Sequence, residues 1–396
     1  MCYEKLFYNT NCEIKFGGII MHMADALISP AVGGAFLAAS AGLIGYSSKK
    51  LKDDIDNSVI PLMGVIGAFV FVAQMINFTI PMTGSSGHIG GGMLLAILLG
   101  PYAAFITIAS VIIIQAFFFA DGGLLALGCN IFNMGFFPCF VCYPLIYKSI
   151  TKTGVSAKRI IVGAISATVI GLQFGAFCVV AETFISGVSE LPFGTFVLLM
   201  QPIHLAIGIV EGIATVAIVL FIYKSQPELI LENKSSDFSY KKFIIIFAAI
   251  SVIIAVGIAR FASSLPDGLE WSISKTAGVE ELKNPAGTIY SKLGDIQNTT
   301  SFLPDYNFKE SENASEKEDE ASKDSAAAKV DESAKEKESA KEKESEKEKE
   351  SAQEDESSSA GTVISGIVGG IIVFALIFAI GFLIKIIKRY GVRPPV

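Results

Sequence analysis

The chain has 396 residues, 52% of them hydrophobic and only 17% charged, with a mean hydropathy of +0.55. Soluble domains carry about 25% charged residues, so this composition excludes a soluble globule and describes a membrane protein. The net charge of −7, from 31 Lys and Arg against 38 Asp and Glu, comes largely from Lys309 to Glu356, and no basic patch interleaved with aromatics points to nucleic acid.

Residues 1–20, MCYEKLFYNTNCEIKFGGII, are neither a signal peptide nor a helix, because a basic start followed by a continuous apolar stretch is missing. Gly17-Gly18 can be encoded by a purine-rich ribosome-binding sequence two codons before Met21. Met21 is therefore expected as the true start, with 1–20 a mis-assigned leader.

A bilayer core takes about 20 apolar residues of helix. Runs of that kind are Ala31–Tyr46, Pro61–Ile80, Gly90–Phe119, Leu124–Tyr147, Ile160–Ile185, Phe193–Tyr223, Phe243–Phe261 and Thr362–Ile387. Basic residues follow the first run (Lys49, Lys50, Lys52), the fourth (Lys148, Lys152, Lys158, Arg159), the sixth (Lys224, Lys241, Lys242) and the last (Lys385, Lys388, Arg389). Cytoplasmic loops carry the positive charge. All four groups fall inside only if Gly90–Phe119 breaks at Gly100-Pro101 and crosses twice, and proline supplies a mechanism for the break. The expected fold is an all-α integral membrane protein with a seven-helix substrate-binding core and two further C-terminal transmembrane helices. Its N-terminus is outside and its C-terminus inside.

The domain boundaries follow from the same pattern. Residues 21–225 form the membrane core, 242–308 a segment with helix eight, 309–359 a low-complexity linker, and 362–396 the last helix and a basic tail. The linker repeats SAKEKE and has almost no aromatic or branched apolar residues. It cannot offset the entropy of ordering, so disorder on the outer side is expected, with patches of charge-paired helix.

Six cysteines show no paired spacing for zinc, and the Cys139–Cys142 pair lies inside an apolar run as small hydrophobes do. The chain has three histidines. His204 and Glu211 are seven residues apart on one helical face; an ionisable pair there is either functional or a link between two helices. If translation starts at Met21, His22 becomes residue two. The free amine, the next amide nitrogen and the imidazole Nδ1 then close two fused chelate rings, and His88 supplies a fourth nitrogen. Planar nitrogen coordination suits Ni(II) or Cu(II) and can hold Co(II). Asp25 either neutralises metal charge or caps the following helix. Asn77, Thr79, Ser85 and Ser86 are candidates to orient the His88 loop, and Asp121 is expected to cap a helix or turn.

Four ordered blocks, MHMADALISP, SSGHIGGGMLLAILLGP, DGGLLALGCNIFNMG and HLAIGIVEG, together resemble the CbiM/NikM membrane components of energy-coupling-factor cobalt and nickel importers, from Met21 to about Tyr223. SSLPDGLEW at Ser263–Trp271 resembles the PDGLE motif of their small NikN/CbiN-type partner, here fused. The resemblance implies metal held by Met21, His22 and His88, with His204 and Glu211 in support. The long charged linker and the extra N-terminal residues depart from the family pattern.

The resemblance also implies Co(II) or Ni(II) as transported substrate and no cofactor. No GxxxxGK[ST] phosphate loop occurs, so ATP hydrolysis is expected on separate ATPase subunits, joined by a coupling transmembrane subunit. Ala31, Ala35 and Ala39 form a small-residue stripe that either docks that subunit or packs internally. Two other classes compete. An intramembrane metalloenzyme would need HExxH or a comparable cluster, which is missing, and an ion-coupled transporter would show repeated halves.

Overall fold

A computed structural model describes residues 22–54, 59–231, 240–258, 262–278, 282, 284–308 and 336–390. The expected leader, Met21 and residues 309–335 of the linker lie outside the described residues.

The protein is a helical, multi-pass membrane protein. Helices α1 (Pro30–Asp54), α2 (Val59–Gln74), α3 (Gly92–Leu99) and α4 (Pro101–Phe118) come first. They are followed by α5 (Leu127–Thr151), α6 (Ala157–Ser186) and α7 (Phe193–Ser225). The C-terminal part adds α8 (Tyr240–Ile253), α9 (Gly268–Ala277), α10 (Thr288–Thr300) and α11 (Glu336–Tyr390). Six of the helical stretches are long and apolar enough to cross a bilayer, among them the Ala360–Lys388 part of α11; α2 and Phe243–Gly257 are shorter.

The chain breaks at Gly100, whose φ of 77° is left-handed, and Pro101 opens α4. Gln74 reaches both Gly90, just before α3, and Gln115, near the end of α4. The two helices therefore run antiparallel. With eight residues, α3 is about 12 Å long, too short to cross about 30 Å of hydrocarbon alone. It survives because its residues from Gly92 to Leu98 are buried by neighbouring helices.

Two expectations are corrected locally. The run Pro61–Ile80 is not helical throughout, since Phe78–Ile80 is strand β1, antiparallel to β2 (Ser85–Gly87) with Thr79 opposite Ser86. The α5 interior from Phe132 to Tyr147 is wound as a π-helix around Pro138 and Pro144. Each proline removes an amide and clashes one turn back, which a wider turn relieves. The helical backbone of α11 starts at Glu336, so part of the SAKEKE repeat has the helical form that its charge pairing allows.

Close backbone approach fixes the bundle at α1 and α5. A Cβ on Gly128 would collide with the backbone of Leu37, and Ser40 Oγ donates to the Gly128 carbonyl at 2.7 Å. Helix α11 packs on α2 and α4 through Met63, Phe71, Ile106, Val373 and Ile377. Ala31, Ala35 and Ala39 are exposed, so they do not pack within this chain. Lys49, Lys50, Lys52, Lys148, Lys152, Lys158, Arg159, Lys224, Lys385 and Lys388 all sit at the helix ends opposite His22.

Candidate metal centre

The residues ahead of α1 are tied to the start of α5. Asp25 Oδ1 accepts the Leu125 and Ala126 amides at 2.8 and 3.0 Å. Burial raises the Asp25 carboxyl pKa, opposed by those two amide hydrogen bonds. Of the two roles open to it, the contacts match capping, directed at α5 rather than α1. Asn130 completes the clamp, since its Oδ1 accepts the Met23 amide at 3.0 Å and its Nδ2 donates to the Met23 carbonyl at 3.1 Å.

This clamp holds His22 at 3% exposure. Its Nδ1 lies 2.9 Å from Asp121 Oδ1, an ion-pair distance without hydrogen-bond alignment, and Nε2 is buried with no hydrogen-bond partner. The carboxylate of Asp121, expected to cap a helix or turn, also has other partners. Oδ1 faces His22, and Oδ2 accepts the Tyr306 hydroxyl at 2.6 Å.

His88 arrives on the β1–β2 hairpin. Its ring centroid is 5.8 Å from that of His22. The loop after His88 is anchored on α7, where Glu211 Oε2 and Oε1 accept the amides of Gly90 and Gly91 at 3.0 and 2.9 Å. Gln74 Nε2 donates to the Gly90 carbonyl at 2.8 Å. Gly91 has a φ of 76°, and a Cβ there would meet Val70 at 2.6 Å, so only glycine fits.

The PDGLE segment grips the same hairpin. The Ser86 amide and Oγ donate to the carbonyls of Pro266 and Leu265, each at 2.7 Å. Trp271 Nε1 donates to Thr83 O at 2.9 Å, and Thr79 Oγ1 donates to Ser263 Oγ at 2.9 Å. Ser263 N–H donates to the Asn77 carbonyl at 2.8 Å, while Asn77 Oδ1 is buried without a hydrogen bond. Ser85 Oγ donates to the Ser86 carbonyl at 3.0 Å. Asp267 caps α9 through a box with Glu270, and its Oδ2 is 3.9 Å from His88 Nδ1, too far for a hydrogen bond.

Burial lowers the His88 pKa to about 3, helped by the nearby His22 and His204 and opposed by Asp121. The imidazole is therefore neutral at ordinary pH, the form in which histidine binds metals. Burial, reinforced by Glu270, holds the Asp267 carboxyl well above its usual range.

His22, His88, His204, Glu211, Asp267 and Met200 are among the residues lining one cavity of about 110 Å³. His204 and Glu211 share the cavity but not a bond: His204 Nδ1 lies 2.8 Å from the Met200 carbonyl. Among the described residues, no three His, Cys, Asp or Glu side chains are grouped to hold a metal ion. Sequence reasoning placed both imidazoles but missed Asp121 and Tyr306 as partners of His22. The one signal was the PDGLE motif, which marks where the C-terminal part meets the site.

Two neighbouring imidazoles thus line a buried pocket at one end of an apolar helix bundle of a multi-pass membrane protein. Residues 22–229 match the family described as the cobalt uptake substrate-specific transmembrane region, CbiM, and residues 241–386 match the PDGLE domain. The chain belongs to the CbiM family, whose members are membrane components of cobalt and nickel transport. A chain from Archaeoglobus fulgidus, provisionally assigned as the fused nickel transport protein NikMN, is 36% identical over 218 residues, covering 54% of this chain and 70% of that one. The fused nickel transport protein NikMN of Rhodobacter capsulatus is 30% identical over 227 residues, covering 54% of this chain and 65% of that one. A crystal structure of a transition metal transporter is similar at 30% identity and a TM-score of 0.47, covering 53% of this chain and 96% of that one.

Proposed function

We propose that this chain captures Ni(II) or Co(II) for an ATP-driven importer of the energy-coupling-factor type. The observation that carries the reading is the approach of His22 and His88, with centroids 5.8 Å apart, on one buried cavity. Two imidazoles do not complete a planar nitrogen set. The amine of Met21 and the amide nitrogen of His22 supply the rest, and Nδ1 of His22 closes the second ring after its imidazole turns away from Asp121. His204 and Glu211 support the site, as do Asp25, Asn77, Ser85 and Ser86. The metal is substrate, and no cofactor is required.

The basic helix ends mark the cytoplasmic side, which puts His22 and His88 at the outer face. The exposed alanines of α1 dock the coupling transmembrane subunit. ATP hydrolysis takes place on separate ATPase subunits. In proteoliposomes, radiolabelled Ni(II) uptake should require those subunits and ATP. Full-rate uptake by this chain alone would overturn the division of labour.

The pH dependence has a defined sign. Burial keeps the His88 imidazole neutral, so the protons that compete with the metal are those of the Met21 amine and the His22 amide. Affinity should fall as pH falls. Calorimetric titration should show that His88→Ala weakens binding yet leaves the slope of log affinity against pH unchanged. A flattened slope in that variant would make His88 the titrating ligand and refute the assignment.

A further inference from the structure

His204 stands on the stripe of α7 that faces the metal cavity. Met200, His204, Ile207 and Glu211 all line it, at the spacing of one helix face. Contacts give the levels along that stripe. Glu211 holds the amides of Gly90 and Gly91, and Ile207 lies so close to Gly87 that a Cβ there would collide with it. His88 falls between these points of the chain. His204 is about one turn beyond Ile207, toward Phe193 and away from the basic end at Lys224.

The His204 imidazole has a partner on one nitrogen only. Its Nδ1 lies 2.8 Å from the Met200 carbonyl, and a carbonyl can only accept, so Nδ1 carries the hydrogen. The neutral ring then holds its lone pair on Nε2, which has no hydrogen-bond partner among the described residues. Histidines that ligate metals donate their other N–H in this way, often to a backbone carbonyl. Gly268 of the PDGLE segment, also on the cavity wall, lies against the ring, since a Cβ there would be 3.3 Å from His204 Cε1. The cavity of about 110 Å³ is several times the roughly 15 Å³ that one water needs, so an ion can enter with water still bound.

The three histidines do not form one resting site. Among the described residues no three His, Cys, Asp or Glu side chains are grouped around a common point, so His204 does not complete the set of His22 and His88. The planar nitrogen set also cannot close at once, because the His22 amide must first lose its proton. An arriving ion needs a neutral donor in the meantime. We propose that His204 is a third metal ligand, used before the other two: its Nε2 takes the incoming Ni(II) or Co(II) ion and gives it up to His22 and His88. In the first step Nε2 donates its lone pair and one bound water leaves. In the second, the Met21 amine, the His22 amide nitrogen and the two imidazoles replace Nε2 and the remaining waters, and the amine and amide protons pass to solvent. This deepens the site proposed above and rests on His22 and His88 being its resting ligands.

A donor that touches the ion only on the way in stabilises the transition state of binding and not its end state. It therefore changes both rate constants by one factor and leaves Kd alone. Loss of a residue that only supports the resting site acts otherwise, by speeding dissociation and raising Kd. The test is rapid mixing of Ni(II) with the full chain beginning at Met21, then release into excess chelator, in the parent and His204→Phe. The d–d absorption of bound Ni(II) follows both steps. His204→Phe should slow association and release alike by about tenfold, the effect of about 1.4 kcal/mol on a barrier. Kd should stay within about twofold, and the absorption band should keep its position. Unchanged rates, a raised Kd with faster release, or a shifted band overturns the proposal. If His204→Phe does not fold, His204→Gln, which keeps an N–H for the Met200 carbonyl, carries the same measurement. His22→Ala separates the two readings. Undiminished binding in that variant overturns the resting site itself, whereas lost binding there with parental rates in His204→Phe overturns only the entry role of His204.

Discussion

Acetylating the Met21 amine, in a chain that begins at that residue, should abolish Ni(II) binding although both imidazoles remain intact. His22 and His88 are the two imidazoles near each other, and no third acidic, thiol or imidazole side chain joins them as a metal-holding group among the described residues. A high-affinity planar site therefore needs backbone nitrogens, and an N-terminal amine followed by an amide and Nδ1 forms fused rings around one ion. An acetylated amine has no basic lone pair, so one ring is lost outright. Loss of a direct ligand should exceed the roughly 10–100-fold cost seen for groups behind ligands. Inserting one residue between Met21 and His22 should have a similar effect by changing the ring size while leaving the histidine in place. His22→Ala should be worse than His88→Ala, because water can replace the single nitrogen of His88 but not a chelate ring. Titration of the purified protein checks each case, and full affinity after acetylation would show that the amine is not a ligand.

The second large effect should come from Glu211→Ala, which touches neither imidazole. Glu211 is 3% exposed and accepts two backbone amides, those of Gly90 and Gly91. Removing the carboxylate leaves two buried N–H groups unsatisfied, at about 1–3 kcal/mol each. Those amides belong to the loop that carries His88, so the loss falls on the position of the ligand as well as on the bundle. Thermal unfolding in detergent should drop markedly, and Ni(II) affinity should fall by about 10–100-fold. Glu211→Gln keeps one acceptor oxygen and should lie between the parent and the alanine variant. An alanine variant with parental stability and affinity would show that the Gly90 and Gly91 amides find other partners.

How much of this was legible in the sequence depends on the range of the forces involved. Spanning helices are dictated by composition over about 20 residues, so α1, α5, α6, α7 and the end of α11 could be read from apolar runs. The break at Gly100 could be read as well, because a left-handed glycine followed by proline is a local backbone property. His22, His88, His204 and Glu211 stood out because ionisable groups are costly among apolar residues. The same arithmetic missed β1, since three residues of Phe-Thr-Ile look like the end of an apolar run until a partner strand is present.

The tertiary structure alone decided what those groups meet. Nothing near His22 in sequence announces Asp121, and nothing near Asp121 announces Tyr306; they are joined because the fold brings the segment ahead of α1, the α4–α5 connection and the turn holding Tyr306 together. Glu211 lies seven residues from His204, which suggested a pair, yet its carboxylate reaches the backbone of Gly90 and Gly91 on another segment. Periodicity places a side chain on a helix face, but the partner across that face is set by which helices pack together. The sequence by itself thus determined a membrane-spanning helical protein with two outlying histidines. Packing decided that those histidines share a cavity, because only the folded chain hydrogen-bonds the β1–β2 hairpin to the PDGLE segment and sets His88 beside His22, ahead of α1.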